Sequence, residues 1–276
     1  MNTAQEIKDI IAEKVTGVWQ AAHDETGHKY IHTPTGVLKK SVTTKLSILS
    51  KPHLISWAVK VSAEWLLNEP SRLDRIQEER SRDDIIKGMQ FAHTDIRDSA
   101  GSIGTDSHNG AEKYIIEWIK TGKRPKDIVS FMRDGCDTRS IAAARAIEAW
   151  FTKSDAVPIA SEILVGNKYS AGTLDLLYLD KAGKLCLGDF KTSNAIDQTN
   201  YSLQIAAYRY MFQEMTGLKV KDCKILLLSK DMDKFTVYKV NFLPKAYRAF
   251  KQICGIYDFV YECKGKIVRD VKRIKI

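Results

Sequence analysis

Three side chains between residues 175 and 191 have the types and spacing for phosphodiester chemistry. Asp175 and Asp189 each interrupt an apolar run where a core residue would be expected, and Lys191 follows Asp189 by two. Side chains alternate along a strand with period two, so Asp189 and Lys191 project from one face and Phe190 from the other. If the two runs are adjacent antiparallel strands, the carboxylates meet. Two carboxylates brought together resist ionising unless a cation neutralises them. Mg²⁺ or Mn²⁺, with oxygen ligands and retained waters, is suited to that task. A neighbouring ammonium can hold a water and offset the charge of a phosphate under in-line attack. Glu162, embedded in the apolar run before these two, is a third acid for the same place. Gln204 and Tyr208, four apart on a helix, share a face that can orient water, lysine or phosphate. Asp-x-Lys alone is common, and Gln204 and Tyr208 also read as a helix surface and a core tyrosine. The specificity lies in strand, turn, strand and helix occurring together.

The elements that must position these groups are legible from periodicity. Runs at 159–165, 173–178 and 185–190 read as three strands joined by short turns in an antiparallel meander. Residues 198–216 read as a helix, 224–229 and 235–240 as two further strands, and 244–261 as a closing helix. The sequence predicts an α/β (α+β) fold.

The first hundred residues read as mainly helical. Apolar residues at helical spacing predict a helix over 3–22. The stretch 28–38, with Pro34-Thr35-Gly36 at its centre, predicts a hairpin. Ser41 is a helix N-cap, and 54–67 and 73–97 read as helices. The small residues 99–105 predict a flexible loop, which places His108 in the first turn of the next helix. On local pattern a histidine there is a cap or a surface residue. Lys120, Lys123, Arg124 and Lys126 form a basic connector, and 138–152 an Ala-rich helix.

The 276 residues carry a net charge of +9, which suits a polyanionic partner. The five cysteines, Cys136, Cys186, Cys223, Cys254 and Cys263, are an odd number at wide spacing without Cys-x-x-Cys. That argues against zinc and disulfide frameworks and for a reducing compartment. No apolar run approaches the roughly 18 residues that span a bilayer, and the first residues do not read as a signal peptide. The expectation is a cytoplasmic protein of a bacterial or phage-infected cell, without a membrane partner. Residues 264–276 hold six basic residues against one acidic.

Glu162, Gly172-x-x-Asp175, Asp189-Phe190-Lys191 and Gln204-x-x-x-Tyr208 together resemble the PD-(D/E)XK nuclease superfamily. More narrowly they resemble its RecB-like exonuclease branch, where Gln-x-x-x-Tyr follows the Asp-x-Lys strand and a histidine starts an upstream helix after a Gly-rich loop, a pattern that Gly104-Thr105-Asp106-Ser107-His108 matches. Tyr30, Ser41-Val42-Thr43, Lys51-Pro52 and Trp57-Ala58 are similar to phage-encoded and mitochondrial genome-maintenance members. The resemblance implies a restriction-endonuclease-like core, a mixed central sheet flanked by helices, over 101–264. Before it would lie a mainly helical, DNA-guiding region over 1–100, and after it a basic tail over 265–276. It implies His108, Asp175, Asp189 and the backbone carbonyl of Phe190 as ligands of Mg²⁺ or Mn²⁺. Glu162 would act at the metal through water or a second ion, Lys191 would be the catalytic lysine, and Gln204 and Tyr208 would orient lysine and phosphate. Gly172-Thr173-Leu174 stands where the superfamily has its Pro. The four cysteines that hold an iron–sulfur cluster in some relatives have no counterpart, so no cluster is expected.

The implied activity is a metal-dependent DNA exonuclease acting on single strands or DNA ends in replication, recombination or repair. A single-strand-binding protein or a recombinase would be its natural protein partner. The alternatives are a structure-specific endonuclease and a non-catalytic DNA-binding recombination accessory protein.

Overall fold

A computed structural model describes residues 2–24 and 27–263. The basic tail 265–276 lies outside them. The chain folds as mixed α and β structure around a five-stranded sheet ordered β4-β5-β6-β7-β8. These strands are Val157–Gly166, Ala171–Leu179, Leu185–Lys191, Asp222–Leu228 and Phe235–Lys239. The first three form the expected antiparallel meander. β6 and β7 are parallel, and α7 (Gln198–Thr216) connects them as a crossover. Asp197 caps α7 by accepting from the Asn200 amide, and Gly217 ends it at φ 74°.

The sheet is buried on both faces. On one, α7 packs with α1 (Ala4–Lys14), α2 (Val42–Leu46) and α8 (Leu243–Cys263), burying Leu187, Ile205, Phe212, Ile225 and Phe250 among them. On the other, α6 (Thr138–Ser154) and part of α5 (Glu79–Thr121) cover Leu176, Tyr178, Phe190 and Leu226 with Ile115, Ile147, Trp150 and Phe151. Period-two alternation sends Leu187 to the first core and Cys186 to the second.

A second, three-stranded antiparallel sheet joins β1 (Trp19–Asp24), β2 (Gly27–His32) and β3 (Val37–Lys40). The expected hairpin is β2–β3. The helix expected over 3–22 is shorter, because α1 ends at Lys14 and Gly17 turns the chain at φ 77° into β1. Trp19 on β1 is buried beside Tyr30 and Ala171, and its ring lies where a Cβ on Gly166 would stand, 2.5 Å away. Tertiary packing overrode the local helical period there.

The loop expected over 99–105 is absent. α5 runs unbroken for 43 residues, so His108 lies well inside it rather than in a first turn. Glycine costs about 1 kcal/mol relative to alanine in a helix interior, but here three of these glycines make close approaches possible. A Cβ at Gly88 would fall 2.2 Å from the Trp65 ring, one at Gly110 2.2 Å from Met132 Sδ, and one at Gly104 3.2 Å from Thr192 Oγ1. α5 also passes through the position expected to divide two regions. Its N-terminal half packs against α3 (Pro52–Leu67) and α4 (Ser71–Arg75), and α6 and β4 also pack on α5.

Candidate metal centre

The site forms where β5 and β6 part. Their pairing ends at Leu176–Gly188, one residue before Asp175 and Asp189, so the two carboxylates stand at the mouth of the split. Asp175 Oδ2 accepts from the backbone N–H of Phe190 at 2.8 Å, a bond made available by that loss of pairing. On the other side of β5, pairs Ser161–Leu176 and Ile163–Leu174 set Glu162 against Asp175. Glu162 has φ 50°, left-handed for a residue with a side chain. Such a conformation persists only where surrounding structure enforces it. Ser161 Oγ satisfies the Asp175 carbonyl at 2.9 Å.

His108 reaches the same point from α5. Its Nε2 lies 3.2 Å from the Phe190 carbonyl oxygen and its Nδ1 3.8 Å from Asp175 Oδ2. One ligand atom each of His108, Glu162 and Asp175 lies within 4.8 Å of the others. Asp189 stands outside that group, in ion-pair contact with Lys191 Nζ. Asp189 Oδ2 makes that contact, and Oδ1 is buried without a hydrogen-bond partner. The expected ligands thus converge, but with Glu162 closer to His108 and Asp175 than an outlying role implies, and with Asp189 held by the lysine.

Burial dominates the electrostatics. It pushes the Glu162 carboxyl up to about 8, with the charges of Asp175, Glu112 and Asp189 adding to the rise and Lys191 opposing it. Burial also raises Asp189, against the Lys191 charge and with that of Asp175. For Lys191 burial acts downward, but Asp189 and Asp175 outweigh it and the ammonium is held charged. Burial lowers His108 more than Asp175 raises it, leaving the neutral imidazole that metal ligation needs.

Around these groups stands a wall of hydroxyls. Gln204 Nε2 donates to Tyr208 Oη at 3.2 Å. Tyr208 passes directly over Gly172, where a Cβ would stand 2.6 Å from its ring. A glycine at position 172 is therefore a packing requirement of this site. Tyr30 Oη pairs with Thr173 Oγ1 at 3.1 Å, close enough to Glu162 for that carboxylate to raise the phenol, after burial. Sequence reasoning did not assign Glu112 or Thr173 to the site. The spacing of four between His108 and Glu112 on one helix was the signal available for the first. Trp57 and Trp65 lie on α3 and pack against α5 through His93 and Gly88. A larger cavity, about 630 Å³, is lined by Ile7, Gly183 and Leu218 and contains none of the acids or the histidine.

The residues fit a hard divalent cation. Asp189 Oδ1 is buried without a partner, and the donors are carboxylates, one carbonyl and one imidazole.

No protein-family model and no curated protein matches the chain. Among solved structures, that of SSO0001 is similar over 60% of this chain and 84% of its own, at 12% identity and a TM-score of 0.30. A likeness that weak carries no argument about function. Among the described residues, no helix is long and apolar enough to cross a membrane. The cysteines Cys136, Cys186, Cys223 and Cys254 are free thiols.

Proposed function

We propose that this chain is a Mg²⁺- or Mn²⁺-dependent deoxyribonuclease, acting as an exonuclease on single strands or DNA ends. The observation that carries the reading is the meeting of His108, Glu162, Asp175 and the Phe190 carbonyl beside the buried ion pair of Asp189 and Lys191. A protein that only bound DNA would have no use for buried carboxylates gathered at one point, because each raises the cost of ionising the others.

The metal would be held by His108, Asp175, Asp189 and the Phe190 carbonyl, with Glu162 at the same ion or through water. When bound it supplies Lewis-acid polarisation of the phosphate and a water of lowered pKa. Lys191 would position the attacking water and offset charge on the phosphoryl oxygens, leaving Asp189 free to help hold the ion. Tyr208, fixed through Gln204 and its seat on Gly172, presents its hydroxyl toward that phosphate. The +9 net charge favours a polyanion at long range.

The test is cleavage of end-labelled single- and double-stranded DNA with Mn²⁺ by the native protein, Asp189→Ala and Lys191→Ala. Loss of cleavage in both variants supports the assignment, and undiminished cleavage by either sinks it. Internally labelled circular single strands remain intact with a strict exonuclease and are cut by an endonuclease.

A further inference from the structure

Two cavities lie end to end between the metal centre and the β7–β8 turn. The inner one, about 420 Å³, has His108 and Lys191 at its base, Ala100 and Gly101 of α5 as one wall, and Tyr201 of α7 and Lys230 on the others. The outer one, about 350 Å³, runs on past Lys234 and Phe235. Ser193, Asn194 and Lys230 line both, so the two are one groove.

Its chemistry is that of a strand track. Lys191, Lys230 and Lys234 line it with Asp231 as the one carboxylate along its walls. Lys230 and Lys234 form no ion pair among the described residues. Tyr201 lines the inner cavity and Phe235 the outer one, both half-buried, with Phe235 also packed against the core beneath α6. Tyr201 Oη donates to Ser193 Oγ at 3.0 Å and Ser193 Oγ to the Ala195 carbonyl at 2.8 Å, which ties the loop wall in place. Both cavities have the volume of a small-ligand site. Proteins that hold single strands combine a cationic groove with aromatic platforms in this way.

Gly101 lines the inner cavity and is exposed, and a Cβ there would meet nothing within 4 Å, so the space beside it is open. We propose that this groove is the track for single-stranded DNA at the metal centre. Lys230 and Lys234 hold backbone phosphates beyond the one being cut, Tyr201 and Phe235 meet the bases, and the open space beside Gly101 admits the strand. The proposal rests on the nuclease reading above.

Gly101→Leu tests it, with Gly101→Ala as the conservative control. Leucine is a better helix former than glycine, so the variant folds while its side chain enters the groove. Each protein is assayed with Mn²⁺ on a single-stranded oligonucleotide and on bis(4-nitrophenyl) phosphate, which needs only the metal centre. The expected result is a loss of about tenfold or more in kcat/KM on the oligonucleotide for Gly101→Leu, with the small diester cut at the native rate. Lys230→Ala with Lys234→Ala should reduce the salt slope of oligonucleotide binding by about 0.7 for each phosphate no longer neutralised. Native-rate oligonucleotide cleavage by Gly101→Leu, equal losses on both substrates, or an unchanged salt slope would overturn the track. Failure of the native protein to cut either substrate would instead overturn the nuclease reading.

Discussion

Phe190 joins two elements of the candidate metal centre through its backbone alone: its N–H donates to Asp175 at 2.8 Å while its carbonyl oxygen lies 3.2 Å from His108 Nε2. Its ring is buried in the core beneath α5 and α6 and meets the His108 ring edge-on, 5.9 Å between centroids. A side chain that contributes no chemistry thus sets the positions of a carboxylate and an imidazole. Phe190→Ala should cost about 3–5 kcal/mol of stability and lower metal affinity, whereas Phe190→Leu should lose less of both. Chemical denaturation and Mn²⁺ titration of the two variants measure this.

The histidine is a sharper probe. His108→Ala should leave the fold intact, since the residue lies on a helix and is partly exposed. It should weaken Mn²⁺ binding about tenfold or more, by removing one ligand of the set. Calorimetric titration of Mn²⁺ into both proteins is the measurement, and equal affinities would remove His108 from the centre.

Stability of the metal-free protein should fall as pH rises. Glu162 has a folded-state pKa of about 8 against an ordinary carboxyl value of 4.5. Between those values the native state keeps a proton that the unfolded chain has released, so raising the pH favours unfolding. Asp189, raised by burial, acts in the same sense. Thermal melts in EDTA should therefore show Tm dropping from about pH 5 to about pH 8, with a shallower drop for Glu162→Gln. Mn²⁺ should restore more stability at the upper end, where it competes with fewer protons. A Tm independent of pH over this range would contradict the burial of these carboxyls.

Gly172 and Tyr208 should be coupled. An added methyl at Gly172 would stand 2.6 Å from the Tyr208 ring, and overpacking of this kind costs about 1–3 kcal/mol. Gly172→Ala should also reduce kcat, because the phenol must move away from the phosphate. Combining it with Tyr208→Ala should relieve the stability cost while leaving activity low. A double-mutant cycle of melts and rates reads both terms.

The long helix makes a prediction separate from chemistry. Gly88→Ala drives a methyl into the Trp65 ring at 2.2–2.4 Å. It should loosen the packing of α3 on α5 without altering Mn²⁺ affinity. Hydrogen exchange should rise in 52–67 and remain unchanged in β5 and β6.

The strands and helices of the core were readable because each carries a strong periodic pattern bounded by its own caps and turns. Asp175, Asp189 and Lys191 were readable as a group because period-two alternation and short turns leave little freedom in where they meet. The sequence therefore determined the mixed α and β class, the three-strand meander and the carboxylates at its end. Tertiary structure decided what depended on partners distant in sequence. Gly101 and Gly104 read as a loop, yet they belong to a continuous helix whose glycines admit Thr192 or leave a groove open. Trp19 read as helical, yet pairing with β2 and packing over Gly166 made it a strand. The positive φ of Glu162, the parting of β5 from β6, and the seating of His108 on Phe190 follow from the balance of packing across the whole sheet. No local pattern encodes that balance, because each contact joins segments that only the folded chain brings together.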